Sequence, residues 1–341
     1  MNKEYVCDFA KKLLQIDSPT GYTKKAIAYV EEEAKRLGYE TKRNNKGNLW
    51  IYVNGKSNEK TIGLCAHCDT LGLMVRSIKS DGKLALTNLG GPIIPTLDGE
   101  YCRIYTRDGN VYTGTILSTS PATHVYKDAS TKVRDIDNIE VRIDEVVYAK
   151  EDTEKLGIQN GDIVAIDPKV QITESGFIKS RFLDDKISAS ALMGVLYELK
   201  QKNITPSYNL IFMMSTYEEV GHGMAHIPSE ISELLAVDMG CIGLDLACTE
   251  QQVSICAKDS SGPYDYDFTT HLITLAKENN INFAVDIYPM YGSDVSAARS
   301  AGNDVKGALI GPGVHASHGM ERTHIDGVME TMKLILAYIC E

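Results

Sequence analysis

No uninterrupted apolar run in this 341-residue chain approaches the ~20 residues that a membrane-spanning helix requires. Basic charge is also scarce. Lysine and arginine number 35 against 46 aspartates and glutamates, a formal net charge of −11, whereas a nucleic-acid binder needs a basic face. A second C-x-x-C is missing. Cys65 and Cys68 stand as an isolated pair, so no zinc ribbon can be completed, and no helix start near Cys68 favours a reactive thiolate. The eight cysteines are scattered, and Cys7, Cys65, Cys241 and Cys256 lie in apolar stretches. They read as reduced, buried thiols of a cytoplasmic protein, not as a disulfide framework. The opening stretch MNKEYVCDFAKKLLQ mixes charges of both signs and offers no small-residue cleavage site, so no secretory leader is expected there. Internal repeats and low-complexity tracts are absent as well.

What is present is the composition of a soluble globular protein, 43% hydrophobic and 24% charged, with enough length for a substantial core. Apolar periodicity predicts helices over 4–15 and 22–37, parted by the breaker SPTG. Strands are expected at 40–44 and 48–54 and in TIGLCA, which ends at His67. From about 73 to 165 short alternating segments such as GEYCRIYT and NVYTGTIL are punctuated by Gly, Pro and Asp-Gly turns, the pattern of a small β-barrel. Helix and strand alternate again beyond 183. The expected fold class is therefore α/β, a central mixed sheet flanked by helices over 1–72 and 166–341, with a small β-barrel domain inserted at 73–165.

Ligands of open α/β sheets bind at the carboxyl ends of the strands, and there the unusual residues collect. His67 and Asp69 follow TIGLCA, and Glu218 and Glu219 follow NLIFMMS. Asp238 ends the strand carrying LLAV, and His315 and His318 follow GALIG. Asp184 and Asp185 precede the helix that begins after the inserted domain. Histidine with carboxylates suits zinc and related divalent ions. In H-x-D the aspartate can reach the ring nitrogen that a metal leaves free, and a paired aspartate suits a bridge between two ions. Adjacent residues on extended chain point to opposite sides. One glutamate of the pair can therefore bind metal while the other accepts a proton from an activated water.

AHCDTLG, FLDDKISASALM, STYEEVGHGMA, AVDMG and ASHGMERTHID occur in the order and approximate spacing of the glutamyl/deblocking aminopeptidases. The chain thus resembles these tetrahedral aminopeptidases, a branch of the co-catalytic dizinc exopeptidase clan. The resemblance implies a zinc-exopeptidase fold and two divalent ions per subunit, zinc with cobalt or manganese as alternatives. His67, Asp184 and Asp238 would hold one ion; Asp184, Glu219 and His318 would hold the other. Glu218 would be the general base and Asp69 the partner of His67, and a cis peptide is expected after Asp184. Ser293 and Asp294, in the loop MYGSDVSAARSAG, would line the substrate pocket, Ser293 being equally suited to cap a helix.

The family's assembly is a tetrahedral homo-oligomer, a dodecamer joined through the inserted domain and open only to short peptides. Departures exist. AHCDTLG has threonine where the family more often has Glu-Ile-Gly after the aspartate, and SHGMERTH replaces the commoner His-Ser-Pro pattern, so His315 and His324 compete with His318. The implied activity is removal of N-terminal residues from peptides. A dimetal carboxypeptidase or amide deacylase of the same clan is the alternative, and a carboxypeptidase would need a cation, for which Arg181 and Arg299 are the nearby candidates. A metal-free glycan hydrolase built on Glu218 and a catalytically silent binding protein complete the field.

Overall fold

The computed structural model describes residues 1–341. Its main sheet is built from strands that are apolar on both faces. In Tyr208–Ser215, Leu210, Phe212 and Met214 enter one core while Ile211 and Met213 enter another, as period-two alternation dictates for a sheet covered on both sides. Across the sheet the strands run Glu40–Arg43, Leu49–Val53, Tyr208–Ser215, Ser57–His67, Ile231–Val237, Lys306–Val314, Val253–Asp259 and Gly262–Pro263. Phe283–Ile287 also pairs with Val253–Asp259. The four strands Tyr208–Ser215, Ser57–His67, Ile231–Val237 and Lys306–Val314 are mutually parallel, while Leu49–Val53 and Val253–Asp259 join them antiparallel. The sheet is mixed, as expected.

Helices cover it. Lys3–Leu14 and Lys24–Arg36 each bury one stripe (Val6, Phe9, Ala10, Leu13 in the first; Ala26, Ile27, Val30, Ala34 in the second). Gly38 at φ 87° then ends the second helix where a side chain would be strained. Leu183–Gln201 is buried along nearly its whole length, so it needs no polar stripe. Each fully buried leucine or isoleucine contributes about 1.5–3 kcal/mol. No helix is long and apolar enough to cross a membrane.

The chain divides into two compact units, Met1–Asp69 with Lys169–Glu341, and Thr70–Pro168. The second is a closed antiparallel barrel ordered Gly72–Ile78, Leu84–Leu89, Ile139–Ile143, Val111–Ser118, Tyr101–Tyr105 and Ile163–Ile166. Leu73, Val75, Leu86, Ile104, Ile116 and Val141 fill it. In the first unit a small sheet of Gln171–Ile172, Phe177–Ser180 and Glu321–His324 was not foreseen. ERTH carries no apolar alternation, so nothing local marks it as a strand.

Candidate metal centre and its cavity

Because four central strands run the same way, their carboxyl ends share one edge. Register sets His67 opposite Ser215 and Val237 opposite Ile310. The residues just beyond these ends, Asp69, Glu218, Glu219, Asp238 and His318, consequently converge. Asp184 arrives from the other direction, at the irregular start of Leu183–Gln201. Phe182 there has φ 69°, and the Asp184–Asp185 peptide is cis.

The distances are short. His67 Nε2 lies 3.0 Å from Asp184 Oδ1 and 3.7 Å from Glu218 Oε2. Ligand atoms of His67, Asp184 and Asp238 all lie within 4.8 Å of one another. On the other side of Asp184, His318 Nε2 is 3.6 Å from its Oδ2 and 3.9 Å from Glu219 Oε2. His315 is exposed and pairs with Arg322 through the backbone. His324 caps the last helix, accepting from Asp326 N–H, and its Nε2 faces Ser175 O at 2.8 Å. Of the three histidines, His318 stands in the cluster.

Two expectations need correction. Asp69 was expected to orient His67 with its carboxylate, but Nδ1 meets the Asp69 backbone carbonyl at 2.9 Å while the carboxylate is 3.7 Å away. That carboxylate instead accepts from the amides of Glu218 (3.1 Å) and Glu219 (3.3 Å) and from Thr20 Oγ1 (2.7 Å). The turn after His67 brings the carbonyl closer than the side chain, so Asp69 fixes the glutamate loop. Asp294 does not reach the pocket wall. It is buried, accepting from Met224 N–H at 2.9 Å and from the Ser215 hydroxyl, so it ties the glutamate loop to the short helix Asp294–Ser300.

Sequence reasoning also missed a positioning residue. Buried Glu321 accepts from Asp184 N–H and His318 N–H, both at 3.0 Å, and so fixes the backbone of both. Its place on the unforeseen strand explains the omission.

The electrostatics are unbalanced. Burial first, then neighbouring carboxylates, pushes Glu218, Glu219 and Glu321 well above the usual carboxylate range, and Asp238 rises to about 7 for the same reasons. Burial would raise Asp184 too, but the bond from His67 and the charges of His67 and His318 hold it low. The Glu219 Oε1 atom is buried with no hydrogen-bond partner. Uncompensated carboxylates, two histidines and an orphaned buried oxygen are a donor set that fits divalent cations.

Residues 47–334 match the profile of the M42 glutamyl aminopeptidase family. The chain belongs to that family. It is 47% identical over 333 residues to “Putative aminopeptidase YhfE” of Bacillus subtilis (strain 168), covering 97% of this chain and 96% of the relative. A TET aminopeptidase from a marine sediment Thaumarchaeota archaeon superposes with a TM-score of 0.88 at 18% identity, covering 98% and 96% of the two chains. The Pyrococcus horikoshii TET1 peptidase, described as assembling into a tetrahedron or a large octahedral shell, superposes at 0.86 with 23% identity over 98% and 99%.

In this M42 peptidase a cavity of about 640 Å³ opens onto the cluster. Asp184, Glu218, Glu219, Asp238 and His318 form one wall, and Met239, Tyr291, Ser293, Ser296 and Ala297 belong to the rest. Ser293 begins Asp294–Ser300, its N–H bonded to Ser296 Oγ at 2.7 Å, so it both lines the cavity and starts a helix. Neither arginine considered as a carboxylate anchor lines the cavity. Arg181 is buried and donates to Gly319 O, and Arg299 turns toward Pro263 O. Cys65 and Cys68 are buried free thiols whose pKa burial raises, to about 12 for Cys68, which leaves them unreactive.

Proposed function

We propose that this M42 peptidase is a dimetal aminopeptidase that removes N-terminal residues from short peptides. The observation that carries the reading is the meeting, beside an open cavity, of His67, Asp184, Glu219, Asp238 and His318 with Glu218 among them. His67, Asp184 and Asp238 would hold one ion, and Asp184, Glu219 and His318 the second, with Asp184 between them. Zinc is the expected metal, and a carboxylate-rich set also accepts cobalt or manganese. When bound, the ions supply Lewis acidity toward a water molecule and the scissile carbonyl.

The chain's own groups account for the rest. Glu218 takes the proton of the attacking water and returns it to the leaving nitrogen. Burial raises its affinity for that proton, as a proton shuttle requires. Asp69, through its bonds to the amides of Glu218 and Glu219, keeps the base and the adjacent ligand in register. The acidic wall attracts a free α-amine. The cavity wall offers no lysine or arginine for a terminal carboxylate.

The test is a tripeptide and its N-acetylated analogue, each assayed before and after EDTA. Release of the first residue from the free peptide alone, lost on chelation and regained with zinc, cobalt or manganese, is expected. Release from the carboxyl end favours the carboxypeptidase reading, and loss of the acetyl group the deacylase one.

Assembly into a homo-oligomer, of the tetrahedral kind described for the Pyrococcus horikoshii relative, belongs to the same proposal. Val125, Val133, Val146 and Tyr148 of the barrel unit are left exposed, apolar side chains of the kind that subunit contacts cover. Light scattering of the purified protein should give the mass of a multimer.

A further inference from the structure

We propose that the cavity selects peptides whose N-terminal side chain ends in a cation or hydrogen-bond donor, lysine and arginine foremost, and rejects aspartate and glutamate; this rests on the aminopeptidase reading above. Of the six serines that line the cavity, four, Ser260, Ser261, Ser293 and Ser296, have their hydroxyl protons committed. Each gives its proton inward. Ser260 donates to Pro289 O at 3.0 Å, Ser261 to Asp259 Oδ1 at 2.5 Å, and Ser296 to Ser293 O at 2.8 Å. Tyr264 donates to Asp259 Oδ2 at 2.7 Å, so in its 2.8 Å contact with Ser293 the serine must be the donor.

A hydroxyl has one proton and two lone pairs. With the protons committed, the four oxygens can offer the cavity only acceptor capacity. Ser260 and Ser296 each use one lone pair for the amides of Tyr291 and Ser293, and each retains another. Behind this wall lies Asp259, fully buried, whose carboxylate is met by Ser261, Tyr264 and Ser296 and by no cationic side chain. Neither lysine nor arginine lines the cavity.

At these four serines an acidic side chain would meet acceptors with a like charge behind them, which is how a site excludes a competitor. A lysine or arginine tip would find acceptors, with its methylene stem lying along Met239, Tyr291 and Ala297.

The test compares Lys-, Arg-, Leu- and Glu-p-nitroanilides on the metal-loaded protein. The lysine and arginine substrates should exceed the glutamate one in kcat/KM by on the order of tenfold or more. Free L-lysine should also raise the Tm more than L-glutamate, a readout independent of turnover. Asp259→Asn should shrink the lysine-to-glutamate ratio. Because that residue is buried, Ser300→Arg, at an exposed position on the wall, carries the test independently and should shift preference toward glutamate. Glutamate turned over as fast as lysine, or leucine leading with both charged substrates equally poor, would overturn the selectivity and leave the aminopeptidase standing. Turnover of none, with metal bound, would overturn the aminopeptidase reading and this one with it.

Discussion

The two adjacent glutamates are the sharpest test of the site. Glu218→Gln keeps the shape and removes the proton acceptor. It should retain metal by elemental analysis while kcat falls by about 10²–10⁴-fold. Glu219→Gln should instead lose metal, with activity recovering as the ion concentration is raised. The opposite partition would exchange their roles. Glu321 does not line the cavity, yet holds the backbone of Asp184 and His318. Glu321→Gln should weaken metal retention roughly 10–100-fold, measured by competition with a chelator.

These residues differ in how readable they were. His67, Glu218 and Asp238 announced themselves because each follows an apolar run, and strand ends are where parallel sheets gather ligands. The part played by Asp69 was hidden, since whether a carbonyl or a carboxylate reaches an imidazole is decided by the turn between them. Asp294 misled because its partners, Ser215 and Met224, lie some 70–80 positions earlier, at a separation that no local pattern records.

Among the elements, helices and long strands were legible from periodicity, and the short polar strand Glu321–His324 was not. It exists because Phe177–Ser180 offers it a partner, a tertiary cause. Lys306–Val314 shows how closely a strand can control the site. A Cβ on Gly311 would stand 1.7 Å from the Asp238 carbonyl oxygen. Gly311→Ala should therefore displace Asp238, destabilise the fold by ~3 kcal/mol or more and reduce metal occupancy, read by urea unfolding and metal analysis together.

Away from the site, Glu31 joins helix Lys24–Arg36 to strand Glu40–Arg43 through Arg43 and Thr41. The hydrogen bond from Lys35, with those from Arg43 and Thr41, outweighs burial and holds its pKa below the ordinary value. A depressed carboxyl stabilises the folded state above its unfolded pKa and loses that contribution as pH falls through the folded one. Glu31→Gln should thus lower stability by no more than about 1 kcal/mol at pH 7, and thermal unfolding should show the difference fading below about pH 4.

At the scale of the whole molecule, buried carboxylates without counter-ions would make the proposed ions structural as well as catalytic. EDTA should lower the Tm by roughly 5–15 °C, and calorimetry should show zinc restoring it. The barrel raises a different point. Its first and last strands are neighbours, Leu73 pairing with Val164, so the excursion between them leaves and returns at nearly one place. Once that ring has shut, the long polymer separating His67 from Asp184 acts as a brief tether, since looping entropy depends on the free length still to be closed. The histidine and the aspartate can then find each other as though they were close in sequence, and pulsed hydrogen exchange during refolding should see barrel amides protected before those of the catalytic sheet.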